Sequence, residues 1–193
     1  MIDSKAKGND RVACSIEQNS GFNEGAAGGG VFHFQCFDKD GNLKWEDKCH
    51  NLVVNQGLQD MNTKYFKGVT YTAAWYVGLV DAAGFTAYDP TDTMASHTGW
   101  SETTSYSGAN RQTATFGTAT TADPSVIDNS ASKAQFNMTG TVTVKGAFLT
   151  ATQDKTTNTG VLFSVSSFQA PGDRSVVSGD VLNVTYTFNL DAA

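Results

Sequence analysis

Basic residues are few, long apolar runs are absent, and cysteine and proline are scarce. The 13 Lys and Arg stand against 19 Asp and Glu, a formal net charge of −6. That balance excludes an ordinary nucleic-acid binder, which needs clustered cations to displace phosphate counterions. No run of about 18 apolar residues occurs, so no segment is expected to cross a membrane as a helix. Cys14, Cys36 and Cys49 are too few and too irregular for a disulfide framework, and the polar segment 1–10 lacks the apolar stretch of a secretory signal. Free thiols made in a reducing cytosol are therefore expected. The sequons at Asn137 and Asn183 then carry no expectation of glycosylation. Charged residues make up 17% of the chain, below the roughly 25% of an average soluble domain. Only 3 prolines accompany 19 glycines, and threonine is abundant from Thr63 onward. This composition favours strands, because β-branched and aromatic side chains suit a pleated, half-buried surface. At 193 residues a single domain can bury roughly 70% of its unfolded surface without staples.

The chain divides into a Gly-rich N-terminal arm over 1–30 and a folded domain over 31–193. The arm carries little apolar content and ends in GFNEGAAGGG, which cannot offset its backbone entropy. From Val31, alternating Phe32, Phe34 and Cys36 read as a strand. The turn residues Asp38–Asn42 and the alternation at Leu43–Glu46 make 31–46 a hairpin. Asn55 at an N-cap position, followed by Leu58, Met61 and Tyr65 at helical spacing, predicts a helix over 55–66 that ends at Gly68. The run 73–80 is apolar on both parities and reads as a central strand covered on both faces. Residues 81–107 read as a long loop with a binding role. Strands are expected near 134–138, 142–148, 160–168 and 181–190, the last with Leu182, Val184, Tyr186, Phe188 and Leu190 on one face. The fold class is all-β: an antiparallel β-sandwich of jelly-roll or Greek-key type with one short helix. Its core is expected to include Phe34, Leu58, Trp75, Val77, Phe148, Leu182, Val184, Tyr186 and Phe188.

Few residues combine into chemistry. His33, Cys36, Cys49 and His50 are zinc-ligand types, but residues three apart on a strand point to opposite faces, so no metal site is expected. Asp38, Asp40 and Asn42 begin like a calcium loop, but Gly41 stands at the fourth position rather than the sixth and Cys49 occupies the twelfth. Ser96, His97, Asp92 and Glu102 could make a triad on paper, without a nucleophile elbow. The chain is read as non-enzymatic and without a cofactor. Trp45, Trp75, Trp100, Tyr71, Tyr76, Tyr88 and Tyr106 could form a sugar-stacking face or a protein contact face, since Trp and Tyr are also enriched at interfaces. The interface candidates are Trp100, Tyr106, Glu102 and Tyr88 in the long loop, with Gly28, Gly29 and Gly30 in the arm.

Several phrases carry a resemblance as a set: Asp40–Trp45 (DGNLKW), Asn51–Leu58 (NLVVNQGL), Trp75–Leu79 (WYVGL), Met94–Glu102 (MASHTGWSE) and Ser178–Tyr186 (SGDVLNVTY). Together they resemble a group of small virion structural proteins of tailed bacteriophages, over about residues 31–190. The resemblance implies a β-sandwich cement or decoration protein on the outer capsid surface, made in the host cytoplasm. It implies a dimer or trimer that bridges neighbouring major capsid subunits, with no nucleic acid and no membrane as partner. The alternative is a tail- or fibre-associated module that binds a receptor or carbohydrate.

Overall fold

The computed structural model describes residues 26–71, 73–169 and 172–192. In chain order its elements are β1 (Ala26–Phe37), β2 (Leu43–Val53), α1 (Asn55–Lys67), β3 (Tyr76–Asp81), β4 (Ser101–Thr103) and β5 (Gln112–Thr113). β6 (Ser125–Asp128), a 3-10 turn (Ser130–Ser132), β7 (Ala134–Asn137), β8 (Val142–Thr150), β9 (Leu162–Ser167), β10 (Arg174–Val176) and β11 (Val181–Ala192) follow. The all-β antiparallel class with one short helix is what the alternation predicted.

The strands form one continuous sheet in the order β4-β3-β8-β9-β2-β1-β11-β6, with β5 on β3, β10 on β8 and β7 on β11. β2 joins the two halves. Its first part, through His50, pairs with β1, and Asn51–Val53 pair with β9. The sheet curls so that the inner faces of both halves share one core. Phe34 of β1 meets Phe168 at 4.6 Å between ring centroids, and Phe163 of β9 meets Phe188 of β11 at 5.5 Å. Tyr186 lies at the centre. Its ring packs on Phe32, and its hydroxyl takes hydrogen bonds from Asn51 Nδ2 (2.8 Å) and Ser164 Oγ (3.4 Å).

A second, smaller core lies on the outer face of β3, β8 and β9. Val80, Met94, Trp100, Phe148, Leu162 and Val165 are buried there, with Phe85 and Tyr88 packed against them. The long segment after β3 supplies this cover. That explains why β3 is apolar on both parities: Val77 and Leu79 face one core and Val80 the other.

Three sequence expectations are corrected. The arm does not extend to residue 30, because β1 begins at Ala26 and Gly28, Gly29 and Gly30 pair with Leu190, Asn189 and Phe188. Gly30 admits no side chain: a Cβ there would lie 2.7 Å from the Tyr186 hydroxyl. Residues 1–25 and Cys14 lie outside the described residues. Asn55 is not the helix cap. Val54 precedes the first turn, and the Pro90 carbonyl accepts the Asn55 N–H at 2.8 Å. Leu58 is not core. The helix turns Gly57 inward, against the backbone of Phe163, and leaves Leu58, Tyr65 and Phe66 exposed. Gly68 ends the helix at φ 63°, as expected.

Candidate functional site

The cover over the second core ends in an open pocket of about 220 Å³. Met94, Trp100 and Phe148 make an apolar floor, and His97, Ser101, Glu102, Arg111, Thr156, Thr157 and Asn158 surround it. Trp100 is 5% exposed, held by Phe148 (5.1 Å) and by a hydrogen bond from its Nε1 to Asp92 Oδ2 (2.9 Å). His97 stacks on Trp100 at 4.2 Å and donates from Nδ1 to the Thr93 carbonyl at 3.0 Å.

Glu102 and Arg111 form a buried bidentate pair: Arg111 Nε to Oε1 at 3.0 Å and Nη2 to Oε2 at 2.9 Å. Such a pair offsets its desolvation only if the remaining donors and lone pairs are used. Here they are used on one loop. Arg111 donates to the Thr152 and Thr157 carbonyls, and Glu102 Oε2 accepts the Thr156 N–H at 3.1 Å. Thr156 has φ 61°, the one positive value among described residues other than glycine. A β-branched residue in that region is costly, so the clamp holds the loop in a shape it would not adopt alone.

The loop aromatics expected at an interface are placed elsewhere. Trp100 belongs to the second core. Tyr106 is 3% exposed, edge-on to Phe136 at 4.8 Å, with the Lys155 ammonium 3.6 Å above its ring. Its hydroxyl is buried without a hydrogen-bond partner among the described residues. Tyr88 is half-buried and donates to the Ser166 carbonyl at 2.7 Å. Trp100 and Tyr88 are inside because the segment after β3 covers a sheet face, and Tyr106 is inside because it joins the main core. Glu102 does line the pocket, whereas Gly28, Gly29 and Gly30 lie in β1, away from its lining.

No triad forms from Ser96, His97, Asp92 and Glu102, since Asp92 binds Trp100 and Glu102 binds Arg111. His33 pairs with Glu46 at 2.6 Å, and among the described residues no three His, Cys, Asp or Glu side chains converge as metal ligands. Asp38 shapes the hairpin turn, accepting hydrogen bonds from the Asn42 side-chain amide (3.1 Å), the Asn42 N–H (2.8 Å) and the Asp40 N–H (2.9 Å), which hold its carboxyl below the usual range. Cys36 and Cys49 are free and buried, and burial pushes both thiols up to about 12.

A second feature is a bare apolar face on α1 and the residues after it. Tyr65 is 83% and Phe66 77% exposed, their rings edge-on at 5.0 Å, with Leu58, Val69 and Tyr71 also open to solvent. Asp60, near this face, is largely covered in a 2.7 Å pair with Lys64. Sequence periodicity placed Leu58 and Tyr65 on one helical stripe and expected Leu58 in the core, whereas Tyr71 was expected on a contact face. Arg111, Thr156 and Asn158 were missed, since nothing local in the chain ties them to Glu102.

No protein-family model, no curated protein and no solved structure matches this chain.

Proposed function

We propose that the protein is a non-enzymatic structural component of a phage virion, a cement or decoration protein on the outer capsid surface. It bridges neighbouring major capsid subunits and works as a homo-oligomer. The observation that carries this reading is the bare aromatic face of α1. A contiguous exposed apolar patch is unusual on a monomer and marks an association surface. Its occupant is a second copy of the chain. The exposed parts of Leu58, Tyr65, Phe66, Val69 and Tyr71 amount to roughly 600 Å² per copy, at 150–250 Å² for a whole large side chain. Two copies face to face would bury at most about 1,200 Å² from these side chains, the lower bound for a stable interface. With Asp60 neutralised by Lys64, the net negative charge of the chain is not concentrated where the copies meet.

The physical logic of bridging is avidity. An oligomer that touches two capsid subunits gains about 10²–10⁴ in binding over one contact, so each contact can be weak. Light scattering behind size exclusion tests the oligomer: the wild type is expected as a dimer or trimer and the Tyr65→Ser/Phe66→Ser variant as a monomer. Copy number in purified particles tests the shell assignment. Hundreds of copies agree with a cement protein, whereas about a dozen would replace it with the tail-associated receptor or carbohydrate module.

A further inference from the structure

We propose that the pocket beside His97 binds a neutral hexopyranose ring. This site is separate from the α1 face and does not depend on the capsid reading.

The charge of the ligand follows from the hydrogen-bond accounting. Arg111 and Glu102 are the charged side chains of the lining; their charges offset each other, and four of the five Arg111 N–H groups and both Glu102 oxygens are engaged by each other and by the backbone of Thr152, Thr156 and Thr157. Neither can neutralise an incoming charge. A charged ligand would be desolvated there without a counterion, which is costly.

Its polarity follows from the groups left over. Among the described residues, the side chains of Ser101, Thr156 and Asn158 make no hydrogen bond in the protein, and His97 uses only Nδ1. With the Nδ1 proton on the Thr93 carbonyl, the neutral ring presents Nε2 as an acceptor. Two hydroxyls and an amide give and accept, and the imidazole accepts. That set matches a ring of hydroxyls, each of which does both. Met94 and Phe148 are sealed beneath the lining and Trp100 is 5% exposed, so the apolar contact for the C–H face of such a ring is the rim of Trp100 and the His97 imidazole stacked on it. A volume of about 220 Å³ leaves room for one ring and not for an oligosaccharide. The Glu102–Arg111 clamp fixes the 152–157 loop before any ligand arrives, so binding need not order it.

The experiment follows the backbone amides of Ser101, Thr156, Thr157 and Asn158 by heteronuclear NMR. The probes are the methyl glycosides of glucose, galactose, mannose and N-acetylglucosamine, with glucuronic acid and glucosamine as charged controls. At least one neutral glycoside is expected to give saturable shifts confined to these residues, with a dissociation constant on the order of millimolar, as for a small ligand with few buried atoms. Asn158→Ala and His97→Ala are expected to weaken it about fivefold or more, for loss of one hydrogen bond each. Thr156→Ser, which keeps the hydroxyl, should bind like the wild type. Comparing each methyl glycoside with its free hexose separates a glycan terminus, where the glycoside binds as well, from a free sugar, where it binds worse. Absence of saturation for all four neutral probes overturns the proposal, and so does tighter binding of glucuronic acid or glucosamine. Shifts that persist unchanged in both Asn158→Ala and His97→Ala overturn it too.

Discussion

Tyr106 shows how much a single polar atom can cost. Its ring fills the core against Phe136, yet its hydroxyl is buried and unpartnered among the described residues. An unsatisfied buried group costs about 1–3 kcal/mol. Tyr106→Phe removes the hydroxyl and leaves the ring, so urea denaturation should show unchanged or higher stability, by up to about 1–2 kcal/mol. A loss above about 1 kcal/mol would mean the hydroxyl has a partner. Cys36 and Cys49 make a pH-dependent case. Burial raises both thiols from 9.0 to about 12 in the folded chain. Between those values the unfolded state gives up protons that the folded state keeps, so stability falls as pH rises. Below pH 9 their contribution is fully present. Denaturation midpoints should therefore decline between pH 9 and 12, less steeply in Cys36→Ala, and a midpoint constant over that interval contradicts the assignment.

At the scale of the element, α1 separates what the chain shows from what it conceals. The position of the helix and its end at Gly68 are legible, because periodicity and a left-handed glycine are local signals. Its orientation is not. Gly57 comes so near β9 that a Cβ would lie 2.4 Å from the Phe163 carbonyl oxygen, and that approach turns Leu58 and Tyr65 outward. Helix propensity favours Ala over Gly by about 1 kcal/mol. Here Gly57→Ala is expected to destabilise instead, by about 1–3 kcal/mol from overpacking against backbone. A stabilised variant in thermal unfolding would refute the close approach. The strands β8 and β11 were legible from alternation alone. The start of β1 was not, since a glycine run has no side-chain pattern to read. Nor was the pocket. Glu102, Arg111 and Thr156 lie on separate segments, and only the long cover over β8 and β9 brings them together.

For the molecule as a whole, one shared core predicts one cooperative transition. Tyr186 touches Phe32 of β1, Asn51 of β2 and Ser164 of β9. Tyr186→Ala should cost about 3–5 kcal/mol. Hydrogen exchange should then accelerate in β9 as much as in β11, and a loss confined to β11 would mean the halves unfold separately. The outermost strands, β4 and β6, have 3 and 4 residues. Edges this short offer little template for strand addition, which leaves side-chain faces as the means of association. The long β1–β11 pair has another consequence. Ala26 sits opposite Ala192 in the ladder, so the polypeptide enters and leaves this pair at neighbouring points. A short peptide could join them, and the chain could be reopened in the exposed Asp38–Asn42 turn with every strand pairing intact. Partners genetically joined directly to Ala26 and Ala192, in a variant without residues 1–25, would emerge side by side, which suits the protein as a scaffold for bringing two cargoes together.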